Sequence, residues 1–219
     1  MPAEQGMQHL AALAALGEPA RRALYAYVTA QSRPVSRDEA AAATGMKRAT
    51  AAFHLDRLAA DGLLEVTFAR GSGRSGPGAG RTAKLYARSR RDFAVSLPPR
   101  CYELAGHVLA AAMEQAGRSG EPVGEALARA AGQAGRRLAV TDAVLTGVLA
   151  HAGYEPRAAG GGSVELANCP YRELAQRHPA LVCTMNLYLL RGLLEELGEQ
   201  VQARLDPAPG RCCVTISPR

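Results

Sequence analysis

Apolar residues recur every three or four positions along the first 60 residues, and this spacing predicts a run of short amphipathic helices. The predicted helices cover residues 7–16, 21–31, 36–44 and 47–60. Ser36 and Glu39 form an S-x-x-E capping box at the start of the third helix, and Gly45 supplies a tight turn before the fourth. Two short helices joined by a glycine turn are typical of a helix-turn-helix motif.

The pattern then changes from helical spacing to strands. We predict strands over residues 63–70 and 81–88, separated by the glycine-rich segment 71–80. Glycine-rich loops also hold nucleotide phosphates, but this one lacks the Walker A pattern and precedes a strand, so we exclude that function. The two strands and their long tip therefore predict a wing attached to the helix-turn-helix.

From residue 100 onward, helical periodicity returns and is followed by short strands around one long helix. The predicted helices cover residues 100–117, 121–139, 142–152, 171–176 and 179–197, and the predicted strands cover 153–157, 163–168, 201–205 and 212–216. This order predicts a small antiparallel sheet with helices on one face, so we expect an α+β protein. We divide it into a winged helix-turn-helix (1–92), a linking and dimerisation helix (93–118) and a C-terminal sensor domain (119–219).

The net charge of +6 is concentrated in one stretch of the chain. Residues 70–100 hold eight basic side chains and one acidic side chain, whereas the segments on either side are close to neutral. Only two of the 26 basic residues are Lys, which a GC-rich genome would explain, but such a genome does not explain the clustering. A local basic patch is expected of a polyanion-binding protein and favours a nucleic-acid partner.

The candidate DNA contacts lie on the fourth helix and on the wing. Lys47 and Arg48 begin the helix, at the end that usually enters the major groove. Phe53 points away from the predicted core, and it fits contact with a thymine methyl, packing under the wing or packing against another helix. The wing arginines flank a tip that can follow the backbone or enter a minor groove. The full candidate set is Lys47, Arg48, Ala49, Thr50, Phe53, His54, Arg74, Arg81 and Lys84.

Two segments of this part resemble ArsR-type winged-helix regulators. Residues 15–22 are similar to the L-x-x-P-x-R-R opening of that family, and residues 50–63 resemble its recognition helix and the exit from it. The resemblance covers about 75 residues and implies a regulator that binds a double-stranded DNA operator. It also implies a homodimer on a palindromic site, and the alanine-rich stripe of the 100–117 helix suits close contact with a second copy.

Five cysteines without an export signal predict reduced thiols in the cytoplasm, where bound metal or redox chemistry is expected before disulfides. Three chain reversals could bring the C-terminal cysteines, Cys169, Cys183, Cys212 and Cys213, to one edge of the sheet. We place Cys183 in the first turn of the long helix, where its pKa should be lowered. Alternation along a strand sends Cys212 and Cys213 to opposite faces, so at most one should join the site. We expect Cys101, a domain away, to be a buried apolar residue.

The same region resembles the C-terminal part of SufR-like regulators, which repress iron–sulfur assembly operons and bind a cluster. The matching segments are 168–170, 178–183 and 210–215, and each holds a cysteine at a family ligand position. The resemblance implies Cys169, Cys183 and Cys212 as ligands of an iron–sulfur cluster or Zn, with Cys213 as an alternative third ligand and His178 as a possible fourth. This chain departs from the family because each gap is one residue longer and Cys213 is extra.

Two other functions fit parts of the sequence. The C-terminal domain could instead bind an apolar small-molecule effector, with structural cysteines. A thiol enzyme using Cys212 and Cys213 is disfavoured because no His or acidic residue lies at a motif spacing to act as a base, and we expect no catalytic residue. The longest apolar run, residues 181–194, is short and interrupted by Asn186 and Arg191, so we also expect no membrane segment.

Overall fold

The computed structural model describes residues 2–69, 82–139 and 144–219. The chain forms two compact units, Met1–Val95 and Ser96–Arg219. Both combine helices with small antiparallel sheets, so the predicted α+β class is confirmed.

The first unit is helical with one small sheet. Its helices are α1 (Pro2–Ala15), α2 (Pro19–Thr29), α3 (Arg37–Thr44) and α4 (Arg48–Ala60), and its strands are β1 (Val35–Ser36), β2 (Leu64–Ala69) and β3 (Ala83–Arg88). The strand order is β1-β3-β2, and both pairings are antiparallel. Strands β2 and β3 are the predicted hairpin, which lies directly after α4.

Local capping explains where these helices begin and turn. Glu18 caps α2 by accepting bonds from the backbone N–H groups of Ala20 and Arg21 at 3.1 and 2.7 Å. Ser36 caps α3 as the capping box predicts, since its hydroxyl accepts the N–H of Glu39 at 3.1 Å. Gly45 ends α3 with a φ of 68°, a left-handed conformation that glycine adopts without a side-chain clash. The chain can therefore turn sharply from α3 into α4.

The second unit is built around one four-stranded sheet. Its helices are α5 (Tyr102–Ser119), α6 (Val123–Leu138), α7 (Leu145–His151), α8 (Arg172–Arg177) and α9 (Pro179–Glu196). Its strands are β4 (Pro156–Ala159), β5 (Ser163–Leu166), β6 (Val201–Leu205) and β7 (Val214–Pro218). The order β4-β5-β7-β6 joins two antiparallel hairpins through the pairing of Val164 with Ile216.

The core of the second unit is centred on α9, which packs most extensively against α6. Glycines allow these helices to approach closely. A Cβ added to Gly192 would lie 2.1 Å from the carbonyl oxygen of Gly132, and one added to Gly135 would lie 1.9 Å from that of Leu189. Helix α5 buries Ala105, Val108 and Ala112 in the same core. The helix expected to link two domains is therefore packed within this unit.

Several element boundaries differ from the sequence prediction; strand β4, for example, begins at Pro156 instead of residue 153. Helix α1 begins at Pro2, five residues earlier than expected. Strand β7 begins at Val214, so Cys212 and Cys213 precede the strand instead of opening it. No helix in the described ranges is long and apolar enough to cross a membrane.

Candidate functional site

One face of α4 is exposed and carries most of the predicted DNA-contacting residues. Its buried face holds Ala51, Leu55 and Leu58, as the helical spacing predicted. The exposed face includes Phe53, whose relative exposure of 66% shows that it is not buried against another helix or against the described part of the wing. The other exposed members are Lys47, Arg48, Ala49 and Thr50.

His54 is less accessible than the rest of this set. Its ring packs edge-on against Phe53 with centroids 5.3 Å apart, and its Nδ1 lies 3.8 Å from Oε2 of Glu18. This nitrogen is buried and has no hydrogen-bond partner among the described residues. His54 therefore lies between α4 and the cap of α2, at the edge of the exposed face.

Arg48 and Lys84 are both held by carboxylates. The Arg48 guanidinium donates to Asp38, and the Lys84 ammonium donates to Asp56. Tyr86, which is fully buried, donates its hydroxyl to the same Asp56 oxygen at 2.7 Å. Partial burial raises the pKa of Asp56, but the bonds from Lys84 and Tyr86 lower it by more, so the pKa lies below its usual value.

These two ion pairs border a cavity of about 380 Å³ beside the exposed face of α4. The cavity is lined by Ser36, Arg37, Asp38, Arg48, Thr82, Ala83 and Lys84. The sequence prediction missed Arg37, the first residue of α3. Together with Arg48 and Lys84, it brings three cationic side chains to this cavity. The other two predicted wing residues, Arg74 and Arg81, lie outside the described residues.

In the second unit, three C-terminal thiols line one cavity of about 180 Å³. They are Cys169, which follows β5, Cys183 on α9 and Cys213 before β7. Cys212 is 1% exposed and lies beneath them, with its Sγ accepting a bond from Asn186 Nδ2 at 3.2 Å. The chain reversals therefore bring together the four cysteines that the sequence placed at one sheet edge.

The thiols interact pairwise, Cys169 with Cys212, Cys212 with Cys213, and Cys213 with Cys183. The interaction with Cys212, followed by burial, raises the pKa of Cys169. The pKa of Cys212 rises to about 11, because its interaction with Cys169 lowers it while its interaction with Cys213 and burial raise it. Cys169, Cys183 and Cys212 therefore keep their protons at neutral pH, and a bound metal would have to displace them.

Cys212 and Cys213 diverge as alternation predicts, although both precede β7. Cys212 is 1% exposed and does not line the cavity, whereas Cys213 is partly exposed and does. The lowered pKa expected for Cys183 was wrong. Cys183 is the fifth residue of α9, beyond the first turn where the helix dipole acts, and burial raises its pKa.

His178 and Cys101 both lie away from the thiol cavity. His178 is exposed at the start of α9 and is not among the side chains that line the cavity. Cys101 does not lie a domain away, because it belongs to the same unit and its backbone N–H donates to the Pro170 oxygen at 3.1 Å. Its thiol faces the Ala152 carbonyl at 3.4 Å, so it points to a different neighbour from the cavity thiols.

The donor chemistry of the cavity is that of soft metal sites. Its described lining offers thiols, two guanidinium groups and an amide, without a carboxylate or an imidazole; the lining residues besides the thiols are Arg172, Ala175, Gln176 and Arg211. Thiolates suit zinc and iron–sulfur clusters, and nearby guanidinium groups favour the negative charge of several thiolates around a metal. As the side chains stand, no group of three or more His, Cys, Asp or Glu within residues 2–69, 82–139 and 144–219 could hold a metal ion. The donor types fit, but metal binding would require the thiols to rearrange.

Sequence reasoning missed the polar residues that support this cluster. Asn168 donates to the backbone oxygens of Pro99 and Gly153 at 3.0 and 2.6 Å, which fixes the chain just before Cys169. Arg100 donates to Asn168 Oδ1 at 2.6 Å and to the Cys169 oxygen at 3.3 Å. The signal that could have found Asn168 is its position beside Cys169 in an otherwise apolar strand end.

Comparison with known proteins identifies the first unit. The model of a helix-turn-helix domain family matches residues 16–67, from the end of α1 into β2. The search of curated proteins and the search of solved structures give no match for the chain. The chain thus carries a helix-turn-helix domain, a type of domain typical of DNA-binding regulators.

Proposed function

We propose that this protein is a transcription regulator that binds double-stranded DNA through α4 and the β2–β3 hairpin. The observation that carries the proposal is the match of residues 16–67 to a helix-turn-helix domain, together with the exposed face of the second helix of that motif. Lys47 and Arg48 lie at the N-terminal end of α4, which in this motif usually contacts base edges. The resemblance to ArsR-type regulators adds a homodimer that binds a palindromic operator.

We propose further that Cys169, Cys183 and Cys212, with Cys213 as the alternative third ligand, bind an iron–sulfur cluster or Zn²⁺ that modulates DNA binding. The proposal is supported by the three thiols that line one cavity, with the buried Cys212 beside Cys169, and by the resemblance of this region to SufR-like regulators. The metal would supply a cross-link between β5, α9 and the segment before β7. The chain's own residues would hold it through sulfur, with Arg172 offsetting the charge of the thiolates, since Arg211 is already paired with Asp206 and Glu165.

Metal analysis of the full-length protein, purified without oxygen, tests the ligand set. A single change to serine at Cys169, at Cys183 or at whichever of Cys212 and Cys213 is the third ligand should sharply reduce bound iron or zinc, because the remaining ligands cannot complete the coordination sphere. Cys101→Ser is the matched control, since this thiol is in the same unit but faces the Ala152 carbonyl. Unchanged metal content in all four variants would reject the ligand set.

A second candidate effector is a small apolar molecule, and one groove favours it. A cavity of about 200 Å³ lies between α5 and α6, with Leu104, Val108, Ala134 and Leu138 among its lining residues. This volume is below the roughly 300–1,000 Å³ of usual ligand pockets, so the thiol cluster is the better-supported site. Metal-free protein whose DNA affinity responds to an apolar ligand, and no longer does so after Ala134→Leu, would favour the groove.

A further inference from the structure

The cavity beside α4 in the first unit carries an excess of positive charge. Its described lining includes three cations, Arg37, Arg48 and Lys84, and one carboxylate, Asp38. Two of the cations are already paired, because Arg48 donates to Asp38 and Lys84 donates to Asp56. The described lining offers no second carboxylate, so the cavity attracts an anion.

Arg37 is the cation of this cavity that no described residue holds. Within residues 2–69, 82–139 and 144–219, its guanidinium makes no ion pair and no side-chain hydrogen bond. The segment 70–81, which lies outside the described residues, contains no Asp or Glu. The pKa of Asp56 is raised by burial and lowered by its two hydrogen bonds, and the charge of Arg37 lowers it least. The N–H donors of this partly exposed guanidinium are therefore left for a ligand.

The other lining residues keep donors that can serve the same ligand. Arg48 donates to its carboxylate through Nε, which leaves its two terminal NH₂ groups. Lys84 has three ammonium hydrogens, and its carboxylate partner takes one of them. The Ser36 hydroxyl accepts the N–H of Glu39, so that bond does not use its own hydrogen. A phosphate group suits such a set, because it has several acceptor oxygens and its geometry matches the planar fork of a guanidinium.

The position of the cavity beside α4 makes the DNA backbone the expected source of the phosphate. Arg48 lies at the N-terminal end of α4 and also lines the cavity. Arg37 is the first residue of α3, the first helix of the helix-turn-helix. When the second helix of this motif lies in the major groove, the first helix crosses the backbone beside it. A phosphate at the edge of the groove would therefore meet Arg37 while α4 faces the bases.

We propose that this cavity binds one phosphate group of the DNA backbone and that Arg37 is its principal ligand. The inference rests on the proposed DNA-binding function and adds a residue that the predicted contact set lacks. Arg48 and Lys84 complete the site, held beside the phosphate by their carboxylate partners. Such a contact fixes the register of α4 in the groove and carries no sequence information. A purely structural role for Arg37 would change the stability of the first unit without changing the number of counterions that DNA releases.

The test measures the affinity of the full-length protein for a random-sequence duplex over a range of salt concentrations. Each phosphate that the protein neutralises contributes about −0.9 to the slope of log affinity against log salt. Arg37→Gln should therefore make the slope shallower by about 0.9, and Arg37→Lys, which keeps the charge, should retain it. Arg22→Gln is the matched control, because it removes the same charge from an exposed position on α2, where the side chain donates to the Leu16 oxygen. It should leave the slope unchanged.

The outcomes separate this inference from DNA binding itself. A wild-type protein that binds no duplex would overturn both. Equal slopes for the wild type and Arg37→Gln would leave DNA binding intact and overturn the phosphate site, as would an equal loss in Arg22→Gln or a loss that Arg37→Lys does not restore. Inorganic phosphate, compared with chloride at one ionic strength, gives the last arm. If it raises the thermal midpoint of the wild type but not of Arg37→Gln while their slopes are equal, the cavity binds a free anion and the assignment to DNA is overturned.

Discussion

Replacing Gly192 with alanine should destabilise the second unit, although the same change usually stabilises a helix. Alanine is favoured over glycine by about 0.8–1 kcal/mol in a helix interior. At this position, however, the new Cβ would lie 2.1 Å from the Gly132 oxygen, where ordinary contact needs 3.4–4 Å. The clash is with backbone atoms of Gly132, so no side-chain rotamer can relieve it and α6 must move away from α9. Overpacking of this kind costs roughly 1–3 kcal/mol or more.

We take the upper end of that range for a clash with backbone, so the net destabilisation should be about 2 kcal/mol. Gly106→Ala on α5 is the matched control, because no described atom lies within 4 Å of its added Cβ. This control should stabilise the protein by about 0.8–1 kcal/mol. The two identical substitutions should therefore differ by roughly 3 kcal/mol in the free energy of unfolding.

Thiol labelling in urea is a suitable assay, because Cys169 and Cys212 are buried in the second unit and their reaction reports its unfolding. The urea midpoint of the metal-free protein should fall in Gly192→Ala and rise in Gly106→Ala. A Gly192→Ala midpoint equal to or above that of the wild type would refute the close helix approach. It would also remove the packing that explains the position of α9, which carries Cys183 and Asn186.

Three further predictions concern the first unit. Arg48→Ala should alter preference among operator bases by about 1–3 kcal/mol, measured by competition between duplexes, and an equal loss for all sequences would assign Arg48 to phosphate. Changing Arg74 and Arg81 together to alanine should reduce the slope of log affinity against log salt by about 0.9 for each phosphate that is no longer neutralised, and an unchanged slope would exclude the wing tip from binding. The bonds from Lys84 and Tyr86 keep the pKa of Asp56 below its value in the unfolded chain. The ionised Asp56 carboxylate therefore stabilises the folded protein at neutral pH, and this stabilisation is lost as the pH falls below about 4. Asp56→Asn should lower the thermal midpoint at pH 7 but not at pH 3, and a constant difference would argue against this linkage.

The helix-turn-helix was predictable because its signals are local. Ser36 and Gly45 act through the backbone next to them, and the burial of Leu55 and Leu58 follows from helical spacing. Spacing could not show that Arg48 and Lys84 are paired with carboxylates, since those partners come from other elements.

The thiol cluster was predictable in outline and not in detail. Chain reversals implied that the cysteines meet, and alternation implied that Cys212 and Cys213 diverge, but the sequence could not show that Cys213 is the one that lines the cavity while Cys212 is buried. Asn186 was treated only as an interruption of an apolar run. Its hydrogen bonds are made with Tyr154 and Cys212, which are distant in sequence, so the sequence pattern could not reveal them.

The central claim is that metal on the C-terminal cysteines changes DNA binding, and one measurement tests it directly. The affinity of full-length protein for a duplex selected from a random pool should be compared before and after removal of the metal, at one salt concentration. We expect a clear change in affinity for the wild type and for Cys101→Ser, and no change for Cys183→Ser. Equal affinity of metal-loaded and metal-free wild-type protein would contradict the claim.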